Sequence, residues 1–192
     1  MFVAQNELGQ KVYATETLPK DDKYYCPLCK KEVRLRAGSI NVPHFAHINS
    51  QDCDDFSSDM SEWHREWQSL FPKGNREYII EHHDEKHRAD VCCYSTVIEF
   101  QHSPISEEEF WRRNEFYTAA GYKVVWIFDM IDLYDGYDSS GRLYHVDEWS
   151  NKYGNGGKYQ WKYPFRFLGG FMPQDEKNIA IFFQIVGHKN FR

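Results

Sequence analysis

The amino-acid sequence predicts an α+β or α/β domain with the element order helix, three-strand meander, helix, strand, behind a small N-terminal unit. Two observations lead to this fold class. Short runs rich in β-branched and aromatic residues follow one another between residues 76 and 103, separated by turn residues. Segments with helical periodicity flank these runs, and each begins at a serine suited to cap a helix, Ser61 and Ser106. We assign the small unit to residues 1–55 and the main domain to residues 56–192.

The composition is that of a globular protein with one ordinary domain and a small accessory unit. The chain has 192 residues, of which 41% are hydrophobic and 17% aromatic, enough to build a core. Its formal net charge is -6. This charge argues against a general polyanion binder, because non-specific affinity for nucleic acid depends on lysine and arginine. Any contact with nucleic acid is therefore expected to be local or assisted by a metal ion.

The sequence pattern favours a cytoplasmic protein. No segment approaches the roughly twenty apolar residues needed to cross a bilayer, and the first ten residues lack a basic stretch followed by an apolar run. The five cysteines are odd in number. They include the neighbours Cys92 and Cys93, whose side chains would leave a strand on opposite faces, so we do not expect a disulfide framework.

The N-terminal unit carries a cysteine and histidine pattern typical of a zinc site. Cys26 and Cys29 are separated by two residues, as are His44 and His47, and the pairs bracket a hairpin-like run. Thiolates and imidazoles are the usual tetrahedral ligands of Zn2+. So small a unit has too little core to fold alone, whereas structural zinc contributes on the order of 10 kcal/mol. We expect structural Zn2+ in a zinc-ribbon or treble-clef-like unit; the alternative is two incidental cysteines and two core histidines.

The main domain is expected to begin with a helix that follows a linker. The linker, residues 48–59, is rich in serine, aspartate and asparagine and contains Cys53 without an evident partner. Ser61 can cap the helix of "EWHREWQSLF". Its apolar stripe is expected in the core, and His64 and Gln68 flank that stripe. The stripe consists of Trp63, Trp67, Leu70 and Phe71.

The segments that follow predict the sheet and the second helix. Three strands are expected in "REYIIEHH", "RADVCCY" and "TVIEFQHS", with "DEKH" as the first turn. The second helix is expected between Ser106 as its cap and Gly121 as its stop. "YKVVWIFD" then predicts a strand buried on both faces. Further on, a hairpin is expected in 134–149 and a last strand in "IAIFFQIVGH"; the basic and aromatic segment 154–171 either packs on the sheet or contacts nucleic acid.

The run "VIEFQHS" contains the residues that best predict a chemistry. Side chains alternate along a strand, so Glu99 and Gln101 share one face, and Asp90 of the preceding strand is expected beside Glu99. At about 4 Å two carboxylates repel by roughly 4 kcal/mol at an effective dielectric near 20, so a cation or a proton must lie between them. Oxygen ligands favour Mg2+ or Mn2+, which can promote phosphodiester hydrolysis. Gln101 could orient the water or bond the phosphate. The alternative is an edge strand with a solvated polar face.

The segments "RADV", "VIEFQHSPIS" and "RRNEFY", in this order, resemble the nuclease domain of competence protein CoiA-like proteins of the PD-(D/E)XK nuclease superfamily. "YYCPLCKKEVRLRAG" and "HFAH" are similar to the N-terminal zinc-finger-like segment of that family, so the resemblance covers about residues 1–130. It implies a restriction-endonuclease-like core and a metal-dependent deoxyribonuclease acting on DNA, single-stranded or branched forms included. The implied role is DNA uptake and processing; a role in phage defence or in a mobile element would use the same chemistry.

The resemblance also implies roles for individual residues. Asp90 and Glu99 match the acidic motif positions, and Gln101 stands where the superfamily more often has lysine. Glu77 matches a supporting acid and His64 a phosphate ligand. Positions that line the cleft and contact nucleic acid are matched by Ser103, Arg113 and Tyr117. The competing hypothesis is a catalytically inert zinc protein that binds nucleic acid or recruits a partner.

Overall fold

The structure, a computed structural model, describes most of the chain up to residue 130 and two short stretches beyond it. The described residues are 1–38, 42–48, 53–54, 61–130 and 177–184, together with the backbone of the strands Leu143–His145 and Tyr159–Trp161. Apart from these two strands, the hairpin expected in 134–149 and the basic and aromatic segment 154–171 lie outside the described residues. None of the described helices is long and apolar enough to cross a membrane.

The N-terminal residues form a small antiparallel sheet. Its strands are β1 (Val3–Gln5), β2 (Lys11–Tyr13), β3 (Tyr24–Tyr25), β4 (Glu32–Arg36) and β5 (His44–His47), in the spatial order β2-β1-β3-β4-β5. Strict alternation in β4 buries Val33 and Leu35 and exposes the charged residues between them. These two side chains pack with Tyr24 and Phe45 into a core that also includes Cys26. The cysteine pair therefore belongs to, or packs against, the hydrophobic core of this unit.

The predicted order helix, three-strand meander, helix, strand is present in the rest of the chain. The elements are α1 (Glu62–Ser69), a 3-10 turn (Lys73–Asn75), β6 (Arg76–His82), β7 (Glu85–Cys93), β8 (Thr96–Gln101), α2 (Glu107–Ala119), β9 (Lys123–Asp129), β10 (Leu143–His145), β11 (Tyr159–Trp161) and β12 (Ile179–Gln184). The main sheet has the order β12-β9-β8-β7-β6. β6, β7 and β8 are antiparallel, whereas β9 and β12 run parallel to β8, so α2 is the crossover connection. β10 and β11 pair with each other.

Both helices begin at the predicted caps. The hydroxyl of Ser61 accepts a hydrogen bond from the His64 amide at 3.2 Å, and that of Ser106 accepts from the Glu109 amide at 3.1 Å. Gly121 follows α2 with φ +89°, a conformation that favours glycine. The first turn of the meander is shorter than predicted. His82 pairs with Glu85, so β7 already begins inside "DEKH".

The two helices cover opposite faces of the main sheet. Val97 packs with Tyr117 of α2 and Trp126 of β9, whereas Phe100 packs with Trp63 of α1. The edge strand β12 is tied to α1, because Gln184 accepts hydrogen bonds from the indoles of Trp63 and Trp67, at 2.8 and 2.7 Å. Alternation along β8 therefore sends Glu99 and Gln101 toward the α2 face.

The N-terminal unit contacts the main sheet through buried polar groups. The carboxylate of Glu77 on β6 accepts hydrogen bonds from the amides of Phe2 and Val3. Asp54, which is 2% exposed, accepts a hydrogen bond from the Arg88 amide of β7 at 2.8 Å and lies 3.0 Å from His87 Nδ1. Residues on either side of the proposed domain boundary are therefore joined directly to the strand that carries Asp90.

Candidate functional site

The ladder between β7 and β8 ends one residue before Asp90 and Glu99. It pairs Cys93 with Thr96 and Val91 with Ile98, and that register, if continued by one residue, would place the two acids opposite each other on neighbouring strands. At this point a side chain replaces the backbone acceptor, because the Phe100 amide donates to Asp90 Oδ2 at 2.8 Å. The regular ladder therefore ends where the acidic residues begin.

Asp90 is held in its ionised form by its neighbours. His64 Nε2 lies 2.9 Å from Asp90 Oδ1, and the Asp90 side chain is 14% exposed. Burial alone would raise the pKa of Asp90, but the His64 imidazole, the Phe100 amide and the Arg113 guanidinium hold that pKa below its ordinary value. Gln68, one turn along α1, contacts the same nitrogen of His64 at 3.1 Å. α1 thus fixes one of the two acids.

Glu99 has the opposite electrostatic character. It is 2% exposed, and burial, together with the charge of Asp90, raises its pKa to about 8 despite the opposing effects of Arg113 and Tyr117. Arg113 Nη1 donates to Glu99 Oε2 at 3.1 Å, and the Tyr117 hydroxyl donates to Oε1 at 2.9 Å. The pKa values of the two acids are therefore shifted in opposite directions, and the charge of Asp90 is one cause of the raised pKa of Glu99.

Gln101 presents an unsatisfied acceptor in this region. Its amide nitrogen donates to the Ser103 carbonyl at 2.6 Å and lies 3.4 Å from the Ser103 hydroxyl. The side chain is 3% exposed, and among the described residues its Oε1 has no hydrogen-bond partner. A buried carbonyl oxygen without a donor is costly. This oxygen is therefore suited to accept a hydrogen bond from a water or a substrate.

The other candidate residues hold the acidic pair or join it to the rest of the fold. Arg113 and Tyr117 are buried against Glu99, and His64 is buried against Asp90. Glu77 has φ +44° and directs its carboxylate to the amides of Phe2 and Val3. It lies opposite Asp90 in the register of β6 and β7, between the pairs Arg76–Val91 and Tyr78–Ala89.

The N-terminal unit contains a metal-ligand cluster that differs from the predicted one in one residue. The ligand atoms of Cys26, Cys29, His47 and Cys53 all lie within 4.8 Å of one another. Cys29 Sγ is 3.3 Å from His47 Nε2, and Cys26 Sγ is 3.5 Å from Cys53 Sγ. Three thiols and an imidazole are a donor set typical of structural zinc. Burial and the charge of Cys26 raise the pKa of Cys53 above its ordinary value, which is the situation that a bound cation relieves.

The prediction that His44 completes this cluster is wrong. His44 and His47 are three positions apart on β5, so alternation places them on opposite faces of the strand. His44 Nδ1 lies 2.8 Å from the Val42 carbonyl instead. Cys53 takes its place, although no partner for that thiol was evident from the sequence. The available signal was a third cysteine a few residues after the second histidine.

Comparison with known proteins identifies related sequences for both units. Residues 9–56 match the model of the competence protein CoiA N-terminal domain, and residues 66–164 match the model of the competence protein CoiA nuclease-like domain. A segment of 37 residues is 46% identical to the Druantia protein DruB of Escherichia coli (strain UMEA 4076-1) and covers 18% of this chain and 7% of that relative. The chain thus spans a small fraction of that relative. No solved structure matches.

Proposed function

The chain belongs to the competence protein CoiA family, and from this membership and the geometry of the acidic pair we propose that it is a metal-dependent nuclease that hydrolyses phosphodiester bonds in DNA. The observation that supports this most directly is the pairing of an ionised Asp90 with a Glu99 whose pKa is raised to about 8. Such closely coupled carboxylates are a common feature of catalytic sites. The order of helices and strands is consistent with a PD-(D/E)XK core.

The donor set fits a hard divalent cation. Asp90 and Glu99 would bind Mg2+ or Mn2+ through carboxylate oxygens, which both ions prefer. When bound, the metal would lower the pKa of a water molecule and stabilise charge on the phosphate. Glu99 must release its proton to act as a ligand, because a protonated carboxyl is a poor one. His64 and the Phe100 amide keep Asp90 ionised and oriented for the same purpose.

Gln101 is proposed to orient the attacking water. Its amide nitrogen is engaged by Ser103, which leaves only the acceptor Oε1 for the reaction. An acceptor can receive a hydrogen bond from water but not from a phosphate oxygen. Of the two roles considered from the sequence, the first is therefore the one we retain. In this proposal Ser103 positions Gln101, and the buried Arg113 and Tyr117 position Glu99 rather than touch DNA.

The N-terminal cluster is proposed to hold a structural Zn2+ through Cys26, Cys29, His47 and Cys53. Four protein ligands fill a tetrahedral coordination sphere and leave no open position for catalysis. Reduced thiols of this kind persist in the cytoplasm, which we propose as the location. The biological role would be processing of DNA during uptake, or phage defence using the same chemistry.

A cleavage assay tests the nuclease proposal. Single-stranded, duplex and branched DNA, and RNA, are incubated with Mg2+ or Mn2+ and the wild type, Asp90→Asn, Glu99→Gln or Gln101→Leu. Asp90→Asn and Glu99→Gln are expected to abolish cleavage, and Gln101→Leu to lower its rate with little effect on substrate binding. Glu81→Gln is the matched control, since Glu81 is an exposed acid on β6. Equal activity in Asp90→Asn and the control, or no cleavage of any substrate by folded wild type, would overturn the proposal.

A further inference from the structure

A groove between the N-terminal unit and α1 differs in charge from the rest of this acidic protein. Its volume is about 290 Å³, and it is lined by β1 and β2 on one side and by α1 and the following turn on the other. Three of its lining residues are the cations Arg65, Lys73 and Arg76, and the described lining includes no acid. The groove therefore carries a local positive charge on a chain whose formal net charge is -6.

The cations of this groove are available to a ligand. Lys73 Nζ lies over the Tyr13 ring, 5.0 Å from its centroid, and the Tyr13 hydroxyl donates to the Lys73 carbonyl at 2.7 Å. Arg76 is oriented by the Phe71 and Ser69 carbonyls at the end of α1, at 2.7 and 2.9 Å. Neutral groups hold both cations in place, and within the described part of the chain neither cation forms a salt bridge.

The third cation is only weakly paired. Arg65 lies 3.9 Å from Glu62, and both side chains are about half exposed, at 45% and 58%. An exposed pair of this kind contributes little. A second cavity of the N-terminal unit shows the contrast, because its charged lining residues balance: Lys20, Lys23 and Arg34 against Asp21, Asp22 and Glu32.

The groove is adjacent to the acidic pair. Gln68 lines the groove and contacts His64 at 3.1 Å, and His64 contacts Asp90 at 2.9 Å. One buried imidazole therefore separates the wall of the groove from the predicted catalytic acid. A polyanionic strand lying in the groove would therefore contact the side of α1 that, through Gln68 and His64, supports Asp90.

We propose that this groove binds the phosphate backbone of the nucleic-acid strand, through Arg65, Lys73 and Arg76, on the α1 side of the acidic pair. The proposal rests on the proposed nuclease function for the identity of the ligand. Recognition through phosphates alone is independent of sequence. It also agrees with the expectation that nucleic-acid contact in this acidic chain is local or assisted by a metal ion.

Binding is tested by fluorescence anisotropy with a short labelled single-stranded DNA and the duplex of the same sequence. Buffer without added Mg2+ or Mn2+ suppresses turnover, and a gel of the recovered DNA verifies that it is intact. The variants are Lys73→Ala, Lys73→Gln, which keeps most of the aliphatic stem over Tyr13, and Arg65→Ala. Arg34→Ala is the matched control, an exposed arginine of the charge-balanced cavity. Thermal melting of each variant verifies folding.

We expect each groove variant to weaken binding several-fold, equally for different base sequences, and to reduce the slope of log affinity against log salt by roughly 0.7 to 0.9. Arg34→Ala should change neither quantity. Equal effects of the control and groove variants, or tight binding that persists when Lys73 and Arg65 are both replaced, would contradict DNA binding in the groove. Neither result would contradict the proposed nuclease activity. Groove-dependent binding without any cleavage would instead support the groove and contradict the proposed chemistry. Absence of binding at low salt would overturn the groove.

Discussion

Replacing Glu99 by glutamine should make folding stability less dependent on pH. The pKa of Glu99 is raised from 4.5 to about 8 in the folded protein, so its contribution to stability is complete below the unfolded value and is lost as pH rises toward 8. A shift of this size corresponds to roughly 5 kcal/mol at about 1.4 kcal/mol per unit. Glutamine resembles the protonated carboxyl and has no such titration. Above about pH 8 the variant is therefore expected to be more stable than the wild type by up to a few kcal/mol.

Urea unfolding at a series of pH values measures this effect. The wild type and Glu99→Gln should have similar midpoints at about pH 5, and the difference should grow in favour of the variant up to about pH 8. Glu81→Gln on exposed β6 serves as the control and should show no comparable growth. A stability difference that does not change with pH would contradict the raised pKa. A difference that grows in favour of the wild type would mean that ionised Glu99 with Arg113 is the stable pair.

The same measurement tests the metal site without an activity readout. A cation that binds the ionised pair stabilises the folded state by mass action. Mn2+ or Mg2+ is therefore expected to raise the wild-type midpoint at about pH 8 more than at about pH 5, because fewer protons compete at the higher pH. Glu99→Gln should gain much less. An equal gain in both proteins would show that the cation binds elsewhere.

Two further substitutions test the N-terminal unit. Cys53→Ser is expected to lose stoichiometric zinc and His44→Ala to retain it, as measured by elemental analysis, and the opposite result would contradict the observed cluster. Asp54→Asn is expected to lower the free energy of unfolding in urea by about 1–3 kcal/mol, because a buried charge-assisted contact with His87 is lost. Asp22→Asn, at an exposed position, is the control. An equal effect of both substitutions would contradict the role of Asp54 in joining the N-terminal unit to β7.

The elements of the main domain could be predicted from local sequence because each carries a local signal. The serine caps begin both helices, and β-branched runs separated by turns form the meander. The expectation that Asp90 and Glu99 lie on neighbouring strands follows from the same local signals, since two strands joined by a tight turn have only one register that buries their apolar residues. Alternation then determines which face receives Glu99 and Gln101.

The parts that could not be predicted depend on contacts distant in sequence. Glu77 is bonded to the amides of Phe2 and Val3, more than seventy residues earlier, and no local pattern indicates this. Cys53 lies in a polar linker, and its contact with Cys26 joins residues 27 positions apart. The spacing of the histidines suggested His44 as a ligand. Residues three positions apart lie on one face of a helix but on opposite faces of a strand, and both histidines are on β5.

The connection between the two units affects how zinc removal should be interpreted. Cys53 is followed by Asp54, which holds the Arg88 amide, and Arg88 lies two residues before Asp90 on β7. The Arg88 guanidinium lies 3.9 Å from Glu77, whose carboxylate in turn holds β1. We therefore expect removal of the proposed zinc to release Cys53 and with it the support for this part of β7, and so to lower the proposed activity even if the cluster has no catalytic role. Loss of activity on zinc chelation is therefore not evidence for catalytic zinc. The informative measurement is on protein that retains its zinc: activity that is absent without Mg2+ and appears when Mg2+ is added identifies Mg2+ as the catalytic ion.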